Sequence, residues 1–409
     1  MRFGFALFLL ACSLLAAPLA AQLSLPQLPV PRPTTILDPV TGEMLDDVKA
    51  LERAALSEAQ RLEKLRIERI TLLAKRNADI IELDVEGAPA RRGVLLVLDA
   101  SADQIEKARS AGFRIDENGT IEELDLPYVQ LDIPDGMSLA KAEKLLAQLM
   151  PGASISADNL HFASGSVVAA PVMAARSASV RTNTPVGVVD GAPGSALPVR
   201  EIRGFARGAP FPSNHGSAIV WLLNHAGATN IRVADVYGTD KAGGNALAIA
   251  KAIGWLVGSG SKVINISLVG PKNALVAKAV SQSQAKGVVF VAAVGNDGPA
   301  APPAYPASYP GVVSVTGVDR QNRALIEAGR ALHLDYAAPG ADIFGRNAKG
   351  QRMKLRGTSF ASALVSARLA FTEPGMWRSQ LDAEAVDLGK RGADAQYGRG
   401  LLCAACRPR

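Results

Sequence analysis

Cysteine is scarce in this chain of 409 residues, which has three. Cys12 lies inside an N-terminal apolar run. Cys403 and Cys406 stand three apart near the C-terminus, with only Arg-Pro-Arg after them. That is too few for a scaffold built on disulfides. A redox Cys-x-x-Cys would need a strand before it and a helix after it. Half a zinc site is the most the pair offers, and a small terminal disulfide is the expectation. Aromatic residues make up only 5%. The net charge is +6, but no basic block carries interleaved aromatics, so nucleic acid is not an expected partner. No acidic cluster has calcium-loop spacing, and neither a metal nor another cofactor is expected. After the first residues no apolar run reaches the roughly 20 residues of a membrane span, so no stable membrane insertion is expected.

Hydrophobic residues make up 48% of the chain, ample for one large core and a smaller one. Residues 1–21 read as a secretory signal: Arg2, an apolar stretch from Phe3 to Leu15, then mostly small residues to Ala21. This predicts a secreted or periplasmic protein. Residues 22–40, with Pro26, Pro29, Pro31 and Pro33, read as an extended spacer. Residues 41–91 form a charged segment, helical to about Arg76. Its broken apolar stripe (Val48, Leu51, Ala55, Leu62, Leu65) suits a solvated helix lying on a neighbouring domain better than a coiled coil.

Residues 92–161 read as a small α+β domain. Val94–Leu98 is a strand, and Ser101 with Gln104 forms a capping box for a helix. Asp116-Glu-Asn-Gly119 is a hairpin signal. Strand, helix and strand patterns follow at 128–133, 139–150 and 153–157. The order βαββαβ is that of a split-βαβ, ferredoxin-like sandwich. Residues 162–185, rich in Ala, Ser and Val, read as an exposed linker and the place where the chain is cut.

From residue 186 to 409 the pattern is α/β. Apolar runs at 186–189, 231–236, 263–266, 288–293, 312–316 and 334–337 alternate with helical stretches at 216–225, 244–257, 273–286 and 358–371. Runs apolar on both faces predict a parallel central sheet covered by helices on both sides. A ligand site then lies at the carboxyl ends of the strands. Four polar residues are expected there: Asp190 past the first run, His215 at a helix start, Asn296 past another run, and Ser359 opening an Ala-rich helix. Each alone is an ordinary turn or cap residue. Together they fit acyl transfer. Ser359 is the nucleophile, His215 the base, and Asp190 the orienting carboxylate. The Asn296 amide and the Ser359 N–H would be oxyanion donors. Of the other histidines, His161 precedes this region, His333 looks structural, and His225 ends a helix where a cation complements the dipole.

The chain order Asp, His, Ser is that of the subtilisins. Gly357-Thr-Ser-Phe-Ala-Ser362 matches the serine box of the subtilisin-like (subtilase) serine proteases. Asn214-His-Gly-Ser217 resembles their histidine box, Gly187-Val-Val-Asp-Gly191 their aspartate box, and Ala292-Ala-Val-Gly-Asn-Asp-Gly298 their oxyanion segment. The resemblance implies a serine endopeptidase acting on polypeptides. It implies substrate-strand contacts from Ser267, Leu268, Val269, Gly270, Ala292, Ala293 and Gly295. It also implies that the small domain resembles an inhibitor and chaperone propeptide, removed by self-cleavage. Val269 stands where a glycine is common, Ala363 where a proline is, and Ser217 where a threonine is. A β-branched side chain at 269 narrows the site for the residue before the scissile bond. Two other uses of such a fold are a catalytically weak pseudoprotease that serves as a binding or chaperone module, and an esterase.

Overall fold

Strands without polar side chains on either face are stable only between two covering layers, and the chain builds one sheet of this kind. The computed structural model describes residues 42–170 and 180–408. The signal at 1–21, the spacer at 22–40 and residues 171–179 of the expected processing region lie outside the described residues.

The chain begins with α1 (Gly42–Arg76), followed by β1 (Ile81–Leu83), β2 (Pro89–Leu98), α2 (Ala102–Ser110), β3 (Arg114–Ile121), a 3-10 turn at Glu122–Leu124, β4 (Leu126–Asp132), α3 (Leu139–Leu149) and β5 (Ser154–Asn159). Two short strands come next, β6 (Phe162–Ala163) and β7 (Ser166–Ala169). The larger unit then runs β8 (Val186–Asp190), β9 (Glu201–Gly204), α4 (Asn214–His225), β10 (Ile231–Asp235), α5 (Ala246–Gly258), β11 (Val263–Ile266) and β12 (Leu268–Val269). It continues with α6 (Ala274–Ala285), β13 (Val289–Ala293), β14 (Val313–Val318), β15 (Tyr336–Pro339), β16 (Ala341–Arg346), β17 (Arg352–Arg356), α7 (Thr358–Leu369) and α8 (Trp377–Glu384).

Seven strands form the central sheet in the order β15-β14-β13-β11-β8-β10-β9, parallel throughout. Side chains alternate across it. Val189, Ile264, Ile266 and Phe290 pack with α5 and α6 on one face. Val186, Val188, Val233 and Val291 pack with α4 and α7 on the other. The fold class expected from the sequence is the one observed. Asn245 and Asn273 cap α5 and α6 with their side chains, which satisfies N–H groups that have no partner inside a helix.

In the small unit, β5, β2, β4 and β3 lie side by side and antiparallel, with β1 added to the start of β2. One face buries Leu95, Val97 and Leu131 against Ala108 on α2 and Leu139, Ala142 and Leu146 on α3. The other face carries Leu96, Leu98, Leu126 and Tyr128 into the core that holds α5 and α6. The small unit is thus docked through apolar surface, with Lys251 of α5 bonded to Glu117 of β3 at 3.0 Å at the margin.

Four expectations need correction. The small unit starts near residue 81 rather than 92, because Ile81 is buried and Ile81–Leu83 pairs with Pro89–Arg91. Asp116–Gly119 is not a turn. Strand β3 runs through it, and Gly119 is needed because the Tyr128 ring lies over it, within 2.7–3.2 Å of where a Cβ would stand. Residues 162–169 are not an exposed linker but strands β6 and β7, each paired with a distant partner. His225 stacks on Trp221 rather than serving as a helix-end cation; burial lowers its pKa and disfavours the charged form.

Helix α1 lies on the larger unit. Leu62 is buried and packs against Gly298, and Arg69 pairs with Asp297 at 2.7 Å. The helix therefore touches the turn that follows Asn296. Cys403 and Cys406 are joined by a disulfide.

Candidate active site

Strand β8 ends at Asp190, which is wholly buried. Ser213 caps α4, accepting a hydrogen bond from the Gly216 N–H. This cap holds His215 in the first turn, beside the end of β8. The His215 Nδ1–H lies 2.8 Å from Asp190 Oδ2 and 3.1 Å from Oδ1, and Oδ1 also accepts the Gly191 N–H at 2.7 Å. A carboxylate on Nδ1 fixes the tautomer and leaves the Nε2 lone pair free. Nε2 is buried and has no hydrogen-bond partner.

Helix α7 begins at Thr358, directly after Gly357, which has no capping side chain. The first free N–H groups of the helix are met from elsewhere. Asn296 Oδ1 accepts the Thr358 N–H at 3.1 Å, and the carbonyl of Ser164 accepts the Ser359 N–H at 3.3 Å. This use of Oδ1 leaves the Asn296 Nδ2 group buried without a partner. Nδ2 and the Ser164 carbonyl oxygen both flank Gly357, 2.9 and 3.0 Å from where a Cβ would stand. Buried polar groups are nearly always paired, so each unpaired one calls for an explanation. Here there are two at one rim of the sheet: the His215 ring nitrogen Nε2 and the Asn296 amide Nδ2.

The Ser359 hydroxyl does not bond to His215. It donates to the Ser267 carbonyl at 3.0 Å and lies 2.9 Å from the Ser164 hydroxyl. Beneath it a buried polar chain fixes the backbone. Ser267 Oγ and Ser362 Oγ donate to the Ser359 carbonyl, Asn265 Nδ2 donates to Ser267 Oγ, and Ser366 Oγ donates to Asn265 Oδ1. The Thr358 hydroxyl bonds both the N–H and the C=O of Gly295, tying the serine loop to the Asn296 loop. Arg356 grips Glu327 through two contacts of 2.7 and 2.8 Å just before the glycine.

The seven residues expected to meet substrate divide into two groups. Leu268 and Val269 pair antiparallel with Ala163 and Phe162, and Ser267 accepts the Ser164 N–H at 3.3 Å. The His161 ring lies over Gly270. Ala292 and Ala293, by contrast, are buried and pair through β13 only with β11 and β14. Gly295 faces Val269, whose methyl groups stand 3.4 Å from a Cβ position there. Sequence reasoning missed Ser164, Thr358 and the polar chain Asn265–Ser362–Ser366. Only the run of serines and threonine around Ser359 hinted at the last of these.

A sequence profile of the Subtilase family matches residues 213–400. Subtilisin DY of Bacillus licheniformis is 29% identical over 297 residues, which cover 66% of this chain and 96% of that relative. Subtilisin BL of Lederbergia lenta is 30% identical over 193 residues, 45% of this chain and 70% of the relative. The chain belongs to the subtilase family. It is a serine endopeptidase of the subtilase type. Among solved structures, fervidolysin of Fervidobacterium pennivorans, a keratinolytic enzyme related to subtilisin, superposes with a TM-score of 0.61 at 18% identity. That match covers 78% of this subtilase and 61% of fervidolysin, and shows the shared fold. No helix among the described residues is long and apolar enough to cross a membrane, and those residues contain no cluster suited to a metal ion.

Proposed function

We propose that this chain is the zymogen of an exported endopeptidase. Asp190, His215, Ser359 and Asn296 would do the chemistry, and the unit at 81–160 would be its propeptide and inhibitor. The observation that carries the proposal is the Ser164 carbonyl of the same chain, seated on the Ser359 N–H beside the unpaired Asn296 amide, with the Asp190-held imidazole packed on the ring of the next residue, Phe360.

The chemistry follows from charge. Ser359 Oγ turns to His215 through a rotation about its Cα–Cβ bond, between staggered wells. It gives its proton to Nε2 and attacks the substrate carbonyl carbon. Negative charge develops on the carbonyl oxygen, where the Ser359 N–H at the helix start and Asn296 Nδ2 receive it. Asp190 steadies the imidazolium. The C–N bond breaks as His215 passes its proton to the leaving nitrogen. A water then gives one proton to His215 and its oxygen to the acyl carbon, and the proton returns to Ser359.

The pseudoprotease reading has one observation in its favour: the serine hydroxyl bonds to Ser267 and Ser164 instead of His215. A rotation about Cα–Cβ would exchange those two bonds for one to His215. Pairing of β6 with β12 favours a peptide over a simple ester, because an ester lacks the backbone groups that such a ladder uses. Labelling of the processed protein by a serine-directed fluorophosphonate, lost in Ser359→Ala, is the expected result. A folded processed protein that does not label would leave only the binding-module reading.

A further inference from the structure

The chain lies across its own serine in one register. Phe162–Ala163 is paired with Val269–Leu268 on one side of the serine, and Ser166–Ala169 with Arg356–Met353 on the other. Between these two ladders sit Ser164 and Gly165. The Ser164 N–H is on the Ser267 carbonyl, its C=O is on the Ser359 N–H, and its hydroxyl is 2.9 Å from that of Ser359. Resting on the protease reading above, we infer that the bond this subtilase cuts in its own chain is Ser164–Gly165, and that the same register sets its substrate class: a small residue before the bond and glycine after it.

The glycine requirement is steric. A Cβ at Gly165 would stand 2.8 and 3.0 Å from the Phe360 ring, and 3.4 Å from the Arg356 carbonyl. Phe360 follows the nucleophile, is wholly buried and touches the ring of His215 at a 5.4 Å centroid distance. It cannot yield without disturbing the base. The Gly357 backbone closes the other side, since a Cβ there would stand 2.6 Å from Gly165 Cα. Before the bond, Ser164 is 7% exposed. Its hydroxyl is held among Thr358 and Ser359. Three residues upstream, His161 fixes the register. Its N–H donates to the Gly244 carbonyl, its C=O accepts the Tyr237 hydroxyl, and its ring fills the space over Gly270, where a Cβ would come within 2.5–2.8 Å.

In self-cleavage Ser359 Oγ bonds to the Ser164 carbonyl carbon, the Ser164–Gly165 C–N bond breaks, and the proton from Ser359 passes through His215 to the Gly165 nitrogen. Water then releases a carboxylate at Ser164 and restores Ser359.

The test follows the first cut by intact mass, in the wild-type full chain and in Ser359→Ala. Complementary fragments ending at Ser164 and beginning at Gly165 are expected early in the wild type, and an uncut chain in the variant. A first cut elsewhere that still needs Ser359, or no cut at all, overturns the assignment while leaving the fluorophosphonate test of the serine intact. A cut at Ser164–Gly165 that persists in Ser359→Ala overturns self-processing instead. A second arm needs no variant protein. The processed enzyme should cleave the peptide Leu-His-Phe-Ala-Ser-Gly-Ser-Val with kcat/KM at least about tenfold above that for the same peptide with alanine in place of glycine. Equal rates would refute the glycine requirement.

Discussion

Two regions of this subtilase each bury an imidazole. His161 ends the small unit and His215 opens α4. Each is buried, and each has an Nε2 without a hydrogen-bond partner. They differ at Nδ1. His215 has the Asp190 carboxylate at 2.8 Å, whereas His161 has only the Asn159 carbonyl at 3.3 Å. A carboxylate can stabilise the cation that forms when the ring accepts a proton; a single carbonyl cannot offset the loss of water. Burial accordingly pushes His161 down to about 4. One ring can therefore serve as a base, while the other is a neutral wedge. Burial and an idle nitrogen do not make a catalytic histidine; its orienting partner does.

The largest test of this difference replaces each ring in turn in the full chain and follows self-cleavage by mass. His215→Ala should lose on the order of 10⁶ in rate, the magnitude known for removing this base from a subtilisin. His161→Ala should still be cut, about tenfold more slowly, because the strand is less firmly seated. Equal losses would erase the distinction. A smaller effect is expected at Asn296, the proposed oxyanion donor. Asn296→Ala should lower kcat by roughly 10²–10³, as it does in subtilisin, with KM little changed. A change confined to KM would mean that the unpaired Nδ2 binds ground-state substrate.

The same contrast separates what could be read in the sequence from what could not. His215 was legible because the groups that define it each carry a sequence signal of their own: a cap at Ser213, a run of apolar residues, and, 25 residues back, Asp190 at the end of a strand apolar on both faces. The central strands were legible for the same reason. Helix-covered parallel strands carry no polar face, and six of the seven stand out as apolar runs. The seventh, β9, has only four residues and is half charged. His161 was passed over because its neighbours lie far away in sequence: Gly244, Tyr237 and Gly270 are at least 76 residues on. The Ala/Ser/Val stretch after it has no intrinsic turn or strand signature that outweighs its small residues. It becomes strand only because β12 and β17 offer open edges. Likewise Asp116–Gly119 has hairpin chemistry, but the cross-strand pair with Tyr128 overrides it.

The smallest effect concerns pH, and its sign depends on a second buried group. Asp158, three residues before His161, is wholly buried, accepts the Leu247 N–H at 2.9 Å and lies 3.5 Å from Arg91. Burial pushes it up to about 6. The two groups titrate against each other. His161 favours the seated strand when neutral, so its contribution is lost as pH falls from about 6.5 towards 4. Asp158 is raised, so its contribution is full below about 3.8 and is lost as pH rises through 6. Tyr237, raised by burial, stays protonated across this range. Acidification from pH 7 to 5 should therefore change the seat little in the uncut Ser359→Ala chain. Adding Asp158→Asn removes the gain and leaves the loss at His161, about 1–2 kcal/mol over that interval. Adding His161→Gln instead leaves the gain alone. Thermal midpoints at the two pH values, each compared with the Ser359→Ala parent, should shift in opposite directions for the two variants. Shifts of the same sign would mean that the imidazole and the carboxylate do not share one seat, and that His161 is no wedge.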